Sequence, residues 1–183
     1  VRLHCGILKN SPRWGRRGHA KRKLKVGAVK RNSILSNWYP KNKKFMNEHD
    51  SEHQGFYGLG IAPALMDILA RNNYREPTPI QRQAIPAAIE GKDVVGIAQT
   101  GTGKTLAFGL PMIQILAQTK GRGLVLLPTR ELAMQVDEQV KKIGQGLGLK
   151  TAILIGGLSQ RPQIAALARN PHIIIATPGR LLD

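Results

Sequence analysis

Ala98-Gln99-Thr100-Gly101-Thr102-Gly103-Lys104-Thr105 follows the apolar run Val94-Val95-Gly96-Ile97 and opens an amphipathic stretch. Small residues let a backbone curl so tightly that several N–H groups point at one anion. The start of the next helix adds unpaired N–H groups and the positive end of its dipole. Lys104 can bring a charge to the outer phosphates of a nucleotide, and the Thr105 hydroxyl can be a ligand for Mg²⁺. The usual pattern for such a loop opens with Gly, where this chain has Ala98. The bland alternative is a Gly-rich turn that happens to precede Lys and Thr. The strand-loop-helix setting favours the phosphate device.

Working outward from that loop, the chain repeats a strand, a loop and a helix. Upstream, residues 61–72 carry Ile61, Leu65, Ile68 and Leu69 at helical spacing. Pro77-Thr78-Pro79 interrupts, and a second helix is expected from Ile80 to Ile89 with Ile80, Ala84 and Ala87/Ala88 on one face. Val94 to Ile97 reads as a strand. A helix over Thr105–Ala117 aligns Leu106, Leu110, Ile113 and Ala117, and Pro111 inside it should kink it or cost a hydrogen bond. Leu124–Leu127 reads as a strand and Arg130–Ile143 as a helix burying Leu132, Val136, Val140 and Ile143. Ala152–Ile155, Leu158–Ala168 and Ile173–Ala176 then read as strand, helix and strand, and another helix opens before Asp183. Apolar strands alternating with amphipathic helices specify an α/β fold, a parallel sheet with helices on both faces.

Bulk properties narrow the field. The 183 residues suffice for one sizeable core. No apolar run approaches the ~20 residues that span a bilayer, and no secretory pattern opens the chain. Cys5 is the one cysteine, which excludes an internal disulfide framework and fits a reducing, cytoplasmic location. The net charge is +17, and it is unevenly placed: residues 1–45 hold 14 of the 28 Lys/Arg and no Asp or Glu. Arg16-Arg17, Lys21-Arg22-Lys23 and Lys43-Lys44 lie there, among Trp14, Trp38 and Tyr39. Three readings of this block stand open: a flexible basic arm on RNA phosphates, a solvated tail, or upstream translation ahead of a natural start at Met46. The expected organisation is a basic segment at 1–53 and a folded unit at 54–183.

Each strand ends in a distinctive loop. The first leads to the phosphate loop, the second to Pro128-Thr129-Arg130, the third to Gly156-Gly157 and the fourth to Thr177-Pro178-Gly179-Arg180. All four are expected along the carboxyl edge of one sheet, where open α/β folds bind ligands. Gly-Gly and Thr-Pro-Gly expose backbone N–H groups, while Arg130 and Arg180 can pair with phosphate oxygens. A nucleic-acid backbone would satisfy both. A helix N-terminal ion pair of Arg130 and Glu131 that holds adjacent loops is the alternative role, and both roles can coexist. His172 reads as structural or exposed.

In this order the loops resemble the DEAD-box RNA helicase family over residues 56–183. Ala98–Thr105 resembles its motif I and Pro128–Ala133 its motif Ia. Gly156-Gly157 resembles its glycine doublet, Thr177–Asp183 its motif Ib, and Pro77–Gln81 with Phe56 upstream its Q motif. The resemblance implies a RecA-like P-loop NTPase domain that uses ATP and Mg²⁺ and binds RNA. By resemblance, Gln81 reads adenine, Tyr74 stacks on the base with Phe56 packed nearby, and residues 98–105 hold the phosphates. Ordinary core packing is the other reading of Tyr74 and Phe56. Lys104 and Thr105 serve catalysis, and Thr105 also holds the metal. Pro128, Thr129, Arg130, Gly156, Gly157, Thr177, Pro178, Gly179 and Arg180 grip the RNA sugar-phosphate backbone, which carries no sequence code.

One departure from the family pattern is Asn73, where Gly usually precedes the Tyr74 position; only a local change is expected. The family's Asp-Glu-Ala-Asp strand, Ser-Ala-Thr motif and second RecA-like domain are not found in this sequence. The expectation is therefore a truncated N-terminal domain of an RNA-unwinding enzyme. By itself it would be a nucleotide- and RNA-binding module, marginally stable and without turnover.

Overall fold

The computed structural model describes residues 2–3 and 55–183. Cys5, the cationic clusters, Trp14, Trp38, Tyr39 and Met46 lie outside the described residues, so the three readings of the basic block are not addressed by it.

Helix α1 (Pro63–Arg71) starts on a proline, whose fixed φ suits a first helical turn. It buries Leu65, Ile68 and Leu69. Asn73 follows at φ 60°, a left-handed conformation that asparagine tolerates better than most residues, so the departure from glycine there is local. Helix α2 (Pro79–Ile89) buries Gln81, Ala84, Ile85 and Ala88. The buried stripe is thus rotated from the expected one, with Ile80 and Ala87 only half-buried.

Helix α3 (Lys104–Gln118) begins at the end of the phosphate loop and continues through Pro111, which is buried inside it. Ala117, expected on its apolar face, is exposed. Helix α4 (Arg130–Gly144) buries Ala133, Val136, Val140 and Ile143. Ala133 takes the place expected for Leu132, which is 37% exposed. Helix α5 (Gln160–Ala168) and the short α6 (Pro178–Leu182) complete the helices of the described residues.

Strand β1 (Arg2–Leu3) pairs antiparallel with β2 (Val94–Val95). Strands β3 (Gly123–Leu126), β4 (Thr151–Leu154) and β5 (Ile173–Ala176) form a parallel sheet in the order β3-β5-β4. Their ends are in register, Leu126 and Leu154 both standing beside Ala176. The α/β class with a parallel sheet is as expected. One detail is corrected: the strand before the phosphate loop is two residues long and is not hydrogen-bonded to the three-stranded sheet among the described residues. Three of the four loops therefore share one sheet's carboxyl edge. Cover is also incomplete, with Leu124 45%, Leu126 50% and Ile97 92% exposed. The core lies between α1, α3, α4 and the sheet, around Leu69, Leu110, Ile113, Val140, Ile173 and Ile175.

Three of the buried polar side chains are glutamines on helices, and each amide pairs with the backbone of a neighbouring segment. Gln81 accepts from the Thr78 N–H at 3.0 Å and donates to the Gly103 carbonyl at 3.0 Å. Gln114 accepts from the Ala62 N–H at 2.8 Å and donates to the Gly60 carbonyl at 2.9 Å. Gln163 accepts from the Ile155 N–H and donates to the Ile155 carbonyl, both at 3.1 Å. A buried amide needs such partners on both sides, since an unpaired one costs about 1–3 kcal/mol.

Candidate functional site

The loop at residues 98–103 is held by short-range contacts. The Thr102 hydroxyl donates to the Gln99 carbonyl at 2.7 Å. The Lys104 ammonium turns back and donates to the carbonyls of Ala98 and Gln99. Gly103 lies at φ 82° directly ahead of α3, and a Cβ there would collide with the Gln81 amide. Glycine is thus required twice over, by its dihedral and by the close approach of Gln81. The first N–H groups of α3 have no acceptor within the helix and project from its end.

Gln81 is 2% exposed and joins the Pro77–Gln81 segment to this loop. Its amide still has one N–H and one carbonyl lone pair after those two bonds. The neighbouring Thr78 hydroxyl is buried at the start of α2, where Thr78 and Gln81 form a capping box. Upstream, a cleft of about 560 Å³ is lined by Phe56, Tyr57, Met66, Leu69, Tyr74 and Arg75, among others. Phe56 is buried and Tyr74 half-buried against the core, so the two aromatics predicted to lie together do so.

Three further loops meet at the carboxyl edge of the sheet. Thr129 caps α4, its hydroxyl accepting from the Leu132 N–H at 3.3 Å. Arg130 is the first residue of α4, and its guanidinium lies against Gly156 and Gly157. The Gly157 φ of 76° brings that backbone under the guanidinium, where a Cβ would clash. No ion pair joins Arg130 to Glu131 among the described residues. Thr177 is buried, its N–H bonded to the Leu154 carbonyl at 2.9 Å. Pro178 and Gly179 are exposed at the start of α6. Arg180 donates to the Leu158 carbonyl at 3.2 Å and to Asp183 at 3.1 Å. Arg130 and Arg180 thus both contact the Gly156–Leu158 loop.

Sequence reading did not single out Gln163 or Gln114. The nearest signal was a polar residue inside an otherwise apolar helical face. His172 is structural: its Nδ1 accepts from the Lys150 N–H at 3.0 Å.

The residues suit a nucleotide polyphosphate. A helix start offers N–H groups, and among the described residues the Lys104 ammonium is held by backbone carbonyls that a phosphate could replace. Among the described residues no cluster of three or more His, Cys, Asp or Glu could hold a metal ion. The partly buried Thr105 is the hard oxygen donor suited to Mg²⁺ arriving with phosphates. No helix of the described residues is long and apolar enough to cross a membrane.

A family model described as DEAD/DEAH box helicase matches residues 78–183. The chain is 47% identical over 138 residues to the ATP-dependent rRNA helicase rrp3 of Botryotinia fuckeliana, covering 74% of this chain and 28% of that protein. It is 46% identical over 136 residues to the human Probable ATP-dependent RNA helicase DDX47, covering 73% of this chain and 30% of that one. Among solved structures it resembles the RNA helicase Prp28 from Chaetomium thermophilum bound to ADP, with TM-score 0.65 and 43% identity over 71% of this chain and 33% of that one. A hypothetical ATP-dependent RNA helicase from Sulfolobus tokodaii gives TM-score 0.61 and 37% identity, over 66% of this chain and 35% of that one. The chain thus spans less than a third of the length of these curated relatives.

Proposed function

The chain belongs to the DEAD/DEAH box helicase family, and on that premise we propose that the whole protein is an ATP-dependent RNA helicase. The observation that carries this reading is the convergence of Arg130 and Arg180 on the Gly156–Leu158 loop, at the sheet edge where its parallel strands end. The Arg130 guanidinium against the Gly156-Gly157 backbone, with Arg180 on the neighbouring Leu158 carbonyl, suits gripping phosphates without reading bases.

In this reading residues 98–105 cradle the phosphates. Lys104 releases the carbonyls of Ala98 and Gln99 and turns its charge outward. Thr105 gives its hydroxyl to the metal. Gln81 offers its spare N–H and lone pair to the adenine, and the Tyr74 ring lies against the base beside Phe56. When bound, ATP with Mg²⁺ supplies a transferable phosphoryl group and the charge that activates it. Because Gln81 also holds Gly103, contact with the base is mechanically joined to the bend of the loop.

Pro128, Thr129, Arg130, Gly156, Gly157, Thr177, Pro178, Gly179 and Arg180 hold one RNA strand by its backbone. Residues 54–183 form the nucleotide-binding unit. The location is an aqueous compartment holding both ATP and RNA, such as the cytoplasm. RNA-stimulated ATP hydrolysis and strand separation by the full-length protein test the proposal. Wild-type protein lacking both, or retaining both after Lys104→Ala, would overturn it.

A further inference from the structure

Nothing in the resemblance gives a role to Gln163. It sits on α5, 9% exposed, one turn into a helix that is otherwise largely exposed. Its amide makes three bonds: from the Ile155 N–H and to the Ile155 carbonyl, both at 3.1 Å, and to the Ser159 carbonyl at 3.2 Å. Ile155 is the residue between β4 and the glycine doublet. Gln163 therefore continues the hydrogen bonding of the sheet past the last paired residue of β4, in the manner of an added strand.

The loop that follows is grasped from the other side by groups proposed to face RNA. Arg130 covers Gly157, and Arg180 holds the Leu158 carbonyl. Gly157 is exposed and in a left-handed conformation, so its dihedrals are not fixed by a side chain of its own. Gln163 supplies the anchor from beneath. It cannot touch a ligand at the surface, because both ends of its amide are spent on backbone within the fold.

We propose that Gln163 is a positioning residue for RNA binding: by clamping Ile155 and Ser159 it sets where the Gly156-Gly157 N–H groups and the overlying Arg130 present themselves to a phosphate. This rests on the reading of the doublet as an RNA contact. Nucleotide binding lies at the α3 end, where Gln163 makes no contact, so the two affinities should separate on its removal.

The test compares full-length wild type with Gln163→Met, which keeps chain length and loses all three bonds, and with the exposed-surface control Gln160→Met. A fluorescent single-stranded RNA and a fluorescent ADP analogue are titrated against each. Gln163→Met should bind RNA about tenfold more weakly, the equivalent of losing one or two net hydrogen bonds. ADP affinity should stay within about twofold, which is under 0.5 kcal/mol. Hydrogen exchange should quicken in a peptide covering residues 155–159 and not in one covering α3.

Equal RNA affinity in wild type and a folded Gln163→Met would overturn the proposal, as would a parallel fall in both affinities. If Gln163→Met does not fold, Gln163→Glu, which keeps the acceptor for the Ile155 N–H, takes its place under the same criteria. Wild-type protein that binds no RNA would instead sink the helicase reading itself.

Discussion

The guanidinium of Arg130 lies so close above Gly157 that no side chain can stand between them. These residues are 27 positions apart in sequence, on loops that follow β3 and β4, the two outer strands of the sheet. Their contact spans the end of β5, so the loops after all three strands form one continuous ledge.

Gly157→Ala should therefore act twice. The left-handed φ costs about 1–2 kcal/mol for a residue with a Cβ, and the methyl group displaces Arg130. Lower thermal stability with weakened RNA binding and unaltered ADP binding is the expected result. Melting curves and paired titrations would show it.

Lys104→Ala removes the ammonium that now satisfies the carbonyls of Ala98 and Gln99. The domain should remain folded, because Lys104 is not part of the buried core. ATP hydrolysis by the full-length protein should fall by about 10²–10³, the usual cost of removing one preorganised donor to developing charge. Steady-state turnover with and without RNA checks this.

Gln81→Glu replaces the amide that donates to the Gly103 carbonyl with an oxygen facing an oxygen. The bond to the Thr78 N–H survives the change. Stability should drop by about 1–3 kcal/mol, as for a buried polar group left without a partner. ADP affinity should drop with it while RNA affinity in the absence of nucleotide holds. Urea unfolding and ADP titration together provide the readout.

Asp137 offers a contrast away from the site. It is buried on α4, accepts from the Thr151 hydroxyl at 2.6 Å, and pairs with Lys141 at 2.5 Å. Asp137→Ala leaves the Thr151 hydroxyl without its acceptor and should cost about 1–3 kcal/mol. Both ligand affinities of the folded variant should equal those of wild type, measured by the same titrations.

Much of this was readable in the residues. The tight turn ahead of α3 is legible in Ala98–Thr105 because local backbone chemistry is written in local sequence. Helices α3 and α4 showed themselves through long apolar periods, and β5 through an unbroken Ile173–Ala176. Stripe edges were less legible. Leu132 is more apolar than Ala133, yet Ala133 is buried and Leu132 is exposed. Glutamines 81, 114 and 163 are polar and would be placed at the surface by composition; only tertiary proximity shows that each has backbone partners. The pairing of Val94–Val95 with Arg2–Leu3 rather than with the three-stranded sheet is equally non-local. The same holds for Arg130 over Gly157, which depends on the strand order β3-β5-β4.

In the proposed reading, the posture of Lys104 sets the character of any encounter with a triphosphate. The cation is already engaged by two peptide oxygens, so the arriving guest does not meet a bare charge. It exchanges one set of oxygens for another around the same ammonium, and the heat released in a calorimeter is the difference between two pairings. Small anions such as chloride should thus compete feebly, while a ligand with several adjoining phosphoryl oxygens can complete the swap in a single event.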